Sequence, residues 1–398
     1  MVAAARADAS SDAEQLVHLW CYPRAIQTLT KEPMLPTSRS QVTVTPYTPN
    51  TAPGHRPAPD DVPPGWSSFP TRARFTDAAE AARYLNQSYL PGLHAFAATF
   101  ESIHGRKPCD QDFPVELVRL VPPCPTAAPL LIVGGMGPLA GAQALQEAIE
   151  RFGDQREIVL LQLCCVPDRT RALNADQDQG GRSDLHEQVV QVMAQGFSDA
   201  EAALESLHAG TAHVVVACNT AHNFAPEAFE RYRAERGHHA PLQLHSMVDC
   251  VVRALADAGQ QPGEAIVILG TDGTLKTRLY IDPLRARNLT CAVPPPDAQQ
   301  TLMEAIYKGV KAFNEVLVLE RGEQLFRQMV QAGLLAPGRP FVVLAACTEV
   351  PEIVRTLKVG GSPEMRALLA QASVADPMGI TQAHVARLDA GTPLGSGL

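Results

Sequence analysis

Two cysteines carry the clearest chemical signal in the chain. Cys218 stands in Ala217-Cys-Asn-Thr-Ala-His222 and Cys347 in Ala346-Cys-Thr-Glu-Val-Pro351. Each follows an apolar run, has a threonine within two residues, and opens a stretch of helical periodicity. In open α/β sheets ligands bind beyond the carboxyl ends of the strands, where helix N-terminal amides face the same space. A thiol in that place is expected to be more acidic than usual. A lone cysteine after a strand is more often inert core, but two at matching places are not accounted for that way. A thiolate on one side of a carbon and a thiol on the other suit removal of a proton from one face and return of a proton to the opposite face. The obstacle is the weak acidity of a carbon beside a carboxylate. Donors held around that carboxylate must therefore stabilise the developing charge.

The elements that would position the thiols are legible from Pro129 onward. Leu130-Leu-Ile-Val, Ile158-Val-Leu-Leu-Gln-Leu, Val214-Val-Val-Ala, Ile266-Val-Ile-Leu and Phe341-Val-Val-Leu-Ala-Ala are short apolar runs rich in branched residues. Such runs predict parallel strands covered on both faces by helices. Strand alternating with helix implies right-handed βαβ units and a doubly wound sheet. The pattern also repeats. Strand, glycine loop and helix occur at Leu130–Gly141 and again at Ile266–Thr277, while strand, cysteine and threonine occur at Val214–Thr220 and Val342–Thr348. The expected fold is therefore α/β, with two pseudosymmetric doubly wound half-domains of parallel sheet facing one cleft. They span 127–240 and 241–372, with 373–398 returning to the first.

An N-terminal extension precedes them. Residues 1–70 are crowded with Pro, Ser and Thr and read as a flexible arm with little apolar surface to bury. Residues 71–126 predict a helical accessory segment, a helix pair broken at Pro91, ending in the linker Val121-Pro-Pro-Cys-Pro. Neither stretch shows readable chemistry. Asn174–Asp184, polar and glycine-rich, reads as a mobile loop near Arg169.

Five stretches from Pro129 onward carry a resemblance. They are Gly134-Gly-Met-Gly-Pro138, Val166-Pro-Asp-Arg-Thr170, Ala217-Cys-Asn-Thr-Ala-His222, Gly270-Thr-Asp-Gly-Thr-Leu-Lys-Thr277 and Cys347-Thr-Glu-Val-Pro351, with Asp376-Pro377 near the end. In that order they resemble the aspartate/glutamate racemase superfamily, within it the aspartate racemase branch. The resemblance implies an isomerase that needs neither PLP nor any other cofactor, with Cys218 and Cys347 as its two bases and L- and D-aspartate, or glutamate, as substrates. It further implies that Arg169 grips a substrate carboxylate and that Lys276 meets an acidic side chain. Guanidinium and ammonium chemistry suit both tasks. Asn219, Thr220, Thr348 and the loop amides of Met136 and Gly137 would hold the amino-acid backbone, with Thr271 and Thr274 adding hydroxyls. His222 and Glu349 are candidates for tuning the thiols. Gly141 departs from the threonine that many relatives carry. Relatives commonly dimerise, so a homodimer is implied, although no residue fixes it. Other α-proton transfers within the superfamily, such as hydantoin racemisation or decarboxylation, and a non-catalytic amino-acid sensor are the alternative readings.

Composition narrows the partners. The 398 residues carry a formal net charge of −9, which argues against a nucleic-acid backbone as partner. No apolar run reaches the roughly 20 residues of a membrane span, and the first residues lack the pattern of a secretion signal. Nine cysteines in so long a chain do not form a disulfide framework, so a reducing cytoplasm is the expected setting. The adjacent Cys164-Cys165 read as a buried strand end and His238-His239 as solvated, so no metal site is expected. Gly270–Thr277 lacks the glycine that a phosphate loop places before its lysine.

Overall fold

The computed structural model describes residues 72–206, 210–237, 240–260 and 264–389. The expected arm at 1–70 and His238-His239 lie outside them. Five of the strands are the apolar runs read above: β3 (Leu130–Gly134), β4 (Ile158–Gln162), β5 (Ala212–Val216), β7 (Ala265–Gly270) and β9 (Phe341–Ala346). Branched residues on both faces require cover from both sides, and β3, β4 and β5 are buried along their whole length. Shorter strands complete two sheets: β1 (Arg72–Phe75), β2 (Glu116–Leu120), β6 (Leu242–Leu244), β8 (Cys291–Ala292) and β10 (Ala372–Ala375). The first sheet has the order β1-β2-β4-β3-β5-β6 and the second β10-β9-β7-β8. All pairings are parallel except β2 against β4, where Glu116 lies opposite Gln162.

That antiparallel junction corrects the expectation of a purely helical accessory segment. Residues 72–120 contribute two strands to the first sheet, and their apolar side chains enter its core with Leu130, Ile132 and Leu160. The helix pair does not break at Pro91. A π turn, Leu85–Tyr89, joins helices Ala78–Tyr84 and Leu90–His104 without interruption. Its wider ring lets Leu90 N–H reach Leu85 O just before the proline, which has no N–H of its own and sits in the first turn of the second helix.

The expected loop at 174–184 is also mostly helix. Asp168 caps helix Arg169–Gln179 by accepting from Arg171 N–H, and Gly180, at φ 64°, ends it. Asp176 then receives Ser183 N–H and Oγ–H, which starts the next helix, Asp184–Ala202. At the C-terminus β10 remains with the second sheet. The following helix, Pro377–Asp389, packs on both halves: chiefly on helix Met247–Ala258, and on the first half through Gln382, which donates to Ala144 O at 2.8 Å, and Asp389, which pairs with buried Arg156. Among the described residues no helix is long and apolar enough to cross a membrane.

Candidate active site

The carboxyl ends of β3, β5, β7 and β9 open on one cleft of about 290 Å³, open solvent at its mouth included. The chain must turn sharply there. Gly135 (φ 87°) follows β3, and a Cβ on it would lie 2.6 Å from Cys164 N. Gly137 (φ 137°) precedes helix Pro138–Phe152, and a Cβ on it would stand 2.5 Å from Glu349 Oε1. Glycine at 137 therefore admits a carboxylate from the other half of the molecule. Cys218 and Cys347, from the two different sheets, both line this cleft. They are 7% and 6% exposed, so each is shielded yet reachable from the space between them.

The two thiols have different neighbours. Cys347 Sγ–H donates to Glu349 Oε2 at 2.8 Å, and Thr348 Oγ1–H donates to the same oxygen at 3.1 Å. Burial, then the Glu349 charge and that hydrogen bond, hold the Cys347 thiol well above its usual range. The expectation that helix N-terminal amides acidify it is therefore corrected: desolvation and an adjacent carboxylate outweigh the dipole. Cys218 lies instead within the field of the Arg169 guanidinium. Burial opposes the charge of Arg169, but Cys218, Asp110 and Asp168 raise its pKa above the ordinary value, so it stays protonated. His222, four residues after Cys218, is buried. Desolvation lowers its pKa to about 4, and its ring bonds to the Val216 backbone, which makes it a neutral support of the loop.

Of the candidate backbone-binding residues, Gly137 and Thr274 are not on the cleft wall. Met136, Asn219, Thr220, Thr271 and Thr348 line the cleft. Thr220 Oγ1 lies 2.9 Å from both Thr271 Oγ1 and Thr274 Oγ1, so Thr274 supports the hydroxyl cluster while remaining off the cleft wall. Gly273 lets the halves approach closely, since a Cβ there would meet Thr170 Oγ1 at 3.1 Å and Thr220 Cγ2 at 3.2 Å. Asn219 accepts a hydrogen bond from the buried Tyr280 hydroxyl and reaches Ala345 O at 3.4 Å, which fixes its side chain. Lys276 is not brought in. It is exposed, bonds Asn174 Oδ1 at 3.0 Å, and is absent from the lining.

A different lysine lines the cleft. Lys311 follows the π turn Ala305–Val310, which also supplies Tyr307 to the same wall. Its ammonium bonds Asp110 Oδ2 at 2.8 Å, Asp110 Oδ1 at 3.1 Å and Met136 O at 3.3 Å, and lies 3.8 Å from Glu349 Oε1. Desolvation works against its charge, but Asp110 and Glu349 raise its pKa above the usual lysine range. Arg169 also bonds Asp110 Oδ2, at 2.9 Å. Asp110, Lys311 and Tyr307 were missed in the sequence. The four-residue spacing of Tyr307 and Lys311 was an available signal, because it puts both on one face of a helical turn. Nothing in Cys109-Asp-Gln-Asp112 marked Asp110. Among the described residues no group of three or more His, Cys, Asp or Glu side chains is arranged to hold a metal ion.

The profile of the family described as Asp/Glu/Hydantoin racemase matches residues 133–361, more than half of the chain. The chain belongs to this racemase family. The matched range starts within β3 and ends after β9, so it takes in both cysteines, β4 and β5 of the first sheet and β7 and β9 of the second. Similar solved structures include an aspartate racemase from Picrophilus torridus, at 20% identity over 67% of this chain and 96% of that one, with a TM-score of 0.47. They also include a glutamate racemase from Campylobacter jejuni subsp. jejuni, at 15% identity over 65% of this chain and 85% of that one, TM-score 0.40. A third is a glutamate racemase from Aquifex pyrophilus, at 18% identity over 66% and 84%, TM-score 0.37. In this racemase-family chain Gly141 has a local cause. A Cβ there would stand 2.9 Å from Gln162 Cδ, because the Gln162 side chain fills the space and donates to Pro138 O at 2.6 Å.

Proposed function

We propose that the chain racemises an α-amino acid without a cofactor, using Cys218 and Cys347 as the two acid–base groups. The observation that carries the reading is that one cysteine from each sheet lines a single cleft. A thiolate on one wall takes the Cα proton, and the electron pair left on carbon delocalises into the α-carboxylate. The thiol on the other wall gives its proton to the opposite face. The inverted amino acid leaves, and the thiolate and thiol have exchanged walls. Cys347, hydrogen-bonded through its proton to Glu349, is poised as the donor in the resting state. Cys218, on the other wall, is the acceptor. Asn219, the Thr220 hydroxyl and Thr348 supply polar contacts for the amino-acid backbone, and water is limited by the burial of both thiols. The expected preference for aspartate or glutamate required cations free to meet a second carboxylate. Lys276 lies outside the cleft and Arg169 is already paired, so the side-chain preference turns on Asp110.

The test is to incubate each enantiomer of a panel of amino acids in deuterated buffer with the wild-type chain, Cys218→Ser and Cys347→Ser. Both variants are expected to lose racemisation by at least about 1000-fold while retaining deuterium exchange without inversion from one enantiomer, a different one in each variant. Racemisation at the wild-type rate in either variant removes the two-base assignment.

A further inference from the structure

Asp110 precedes the family-matched range, yet its carboxylate sits between the two cations that line the cleft. Arg169 is 6% exposed, Lys311 12% and Asp110 15% at their side chains, so the triad is largely desolvated. The guanidinium is bonded inward on nearly every donor. Nη1 donates to Val166 O and Pro167 O, Nη2 donates to Asp110 and Met136 O, and Nε is buried without a partner. No edge of Arg169 offers the paired donors that grip an incoming carboxylate. Lys311 is likewise committed to Asp110 and Met136 O. Asp168 and Glu349 line the cleft and Asp110, though not on its wall, pairs with both lining cations, so three carboxylates already surround its two basic groups.

The segment holding Asp110 is fixed on both sides. Asp112 accepts from Cys109 N–H at 2.7 Å and pairs with Arg106, closing the short turn around Asp110. Phe113 is buried, with its ring 4.7 Å from that of Phe96 and 6.1 Å from that of Phe313, two residues after Lys311. Moving Asp110 out would disturb this aromatic contact and leave two buried cations without a counter-ion.

We propose that Asp110 is a specificity-determining residue: it supplies from within the chain the carboxylate that an acidic side chain would otherwise bring, so the cleft takes amino acids with neutral side chains in preference to aspartate and glutamate. The inference rests on the racemase reading above and adds the substrate class. Asparagine and aspartate nearly match in shape and differ in charge, so they isolate the effect. Exchange of the Cα hydrogen is measured for both in deuterated buffer with the full chain, Asp110→Asn, Asp110→Glu and Cys218→Ser as the control for cysteine dependence. The wild-type chain is expected to favour asparagine at least tenfold in kcat/KM. Asp110→Asn should move that ratio at least tenfold toward aspartate, and Asp110→Glu, which keeps the charge, should not. A wild-type preference for aspartate, or an unchanged ratio in Asp110→Asn, overturns the proposal while cysteine-dependent exchange leaves the racemase reading standing. No exchange of any amino acid by the wild-type chain removes the racemase reading, and this substrate assignment with it. If Asp110→Asn folds poorly, the wild-type ratio still decides, and added acetate should raise the melting temperature of Asp110→Asn more than that of wild type by refilling the anion seat. Equal shifts in the two proteins count against the proposal.

Discussion

Replacing Glu349 by glutamine examines the origin of the proton held on Cys347. The carboxylate accepts that proton at 2.8 Å, and the two side chains are 4% and 6% exposed, so solvent screening is weak. A hydrogen bond to a charged group contributes about 1.5–3 kcal/mol, and each 1.36 kcal/mol is one pKa unit. Glutamine keeps the shape and removes the charge that disfavours a thiolate beside it. It can also donate to the thiolate through its amide, and it leaves the nearby Lys311 cation less compensated. All three changes act in one direction, so the Cys347 pKa should fall by about 1–2 units in Glu349→Gln. The assay is the rate of Cys347 alkylation by iodoacetamide as a function of pH, read on the peptide that contains it by mass spectrometry. The midpoint should move to lower pH than in the wild-type chain measured alongside. An unmoved midpoint, or one displaced upward, refutes the claim that Glu349 keeps this thiol protonated.

Two stability predictions test the extension and the glycine loop. Glu116 is buried, accepts from Tyr89 O–H at 2.6 Å, and has its pKa raised by burial from 4.5 to about 8. The folded chain therefore holds a proton that the unfolded chain releases between those values. This contribution to stability is full below about 4.5, falls by up to about 1.4 kcal/mol per pH unit through the window, and levels off above about 8. Glu116→Gln should flatten that part of the profile in urea melts, and parallel profiles for the two proteins contradict the assignment. Gly141→Ala should destabilise by about 1–3 kcal/mol by crowding Gln162, despite the better helix propensity of alanine. Adding Gln162→Ala should recover part of the loss, whereas strictly additive melting shifts in the double variant contradict the crowding explanation.

The central strands and both cysteines were legible because each rests on a local pattern. Val214–Val216 and Phe341–Ala346 are apolar on both faces, and a thiol at the end of each run has a position that needs no tertiary information. The extension was harder to read. β2 contains Glu116 and Arg119 between Pro114 and Pro122, so its composition suggests a surface loop, although Glu116 is 2% exposed. Asp110 meets partners 59 and 201 residues away, and no periodicity spans such distances. Lys308 and Lys311 are both lysines on one helical turn, but 67% of the first side chain is exposed against 12% of the second. The difference comes from what packs against each, not from the residues themselves. Lys276 shows the reverse case, a lysine in a matching motif whose side chain points to Asn174 at the surface.

The unequal surroundings of the two thiols have a consequence for kinetics. Enantiomers have the same free energy in an achiral solvent, so their interconversion has an equilibrium constant of one and kcat/KM must be equal in both directions. In the two-cysteine mechanism proposed above, Glu349 on one wall and Arg169 on the other still make the two resting proton arrangements unequal in energy. That inequality can enter only through kcat and KM separately, in compensating amounts. On that proposal the hydrogen bond to Glu349 keeps the resting proton on Cys347, and the enantiomer that presents its Cα hydrogen to Cys218 meets the enzyme ready to react. The opposite enantiomer must wait for the proton to move, and at high concentration it draws on the scarcer form. Each turnover also leaves the enzyme in the form suited to the reverse reaction, so relaxation between forms must keep pace with catalysis. Glu349 accepts hydrogen bonds from Cys347 and Thr348 at the cleft wall, so it is in direct contact with the proton that must move.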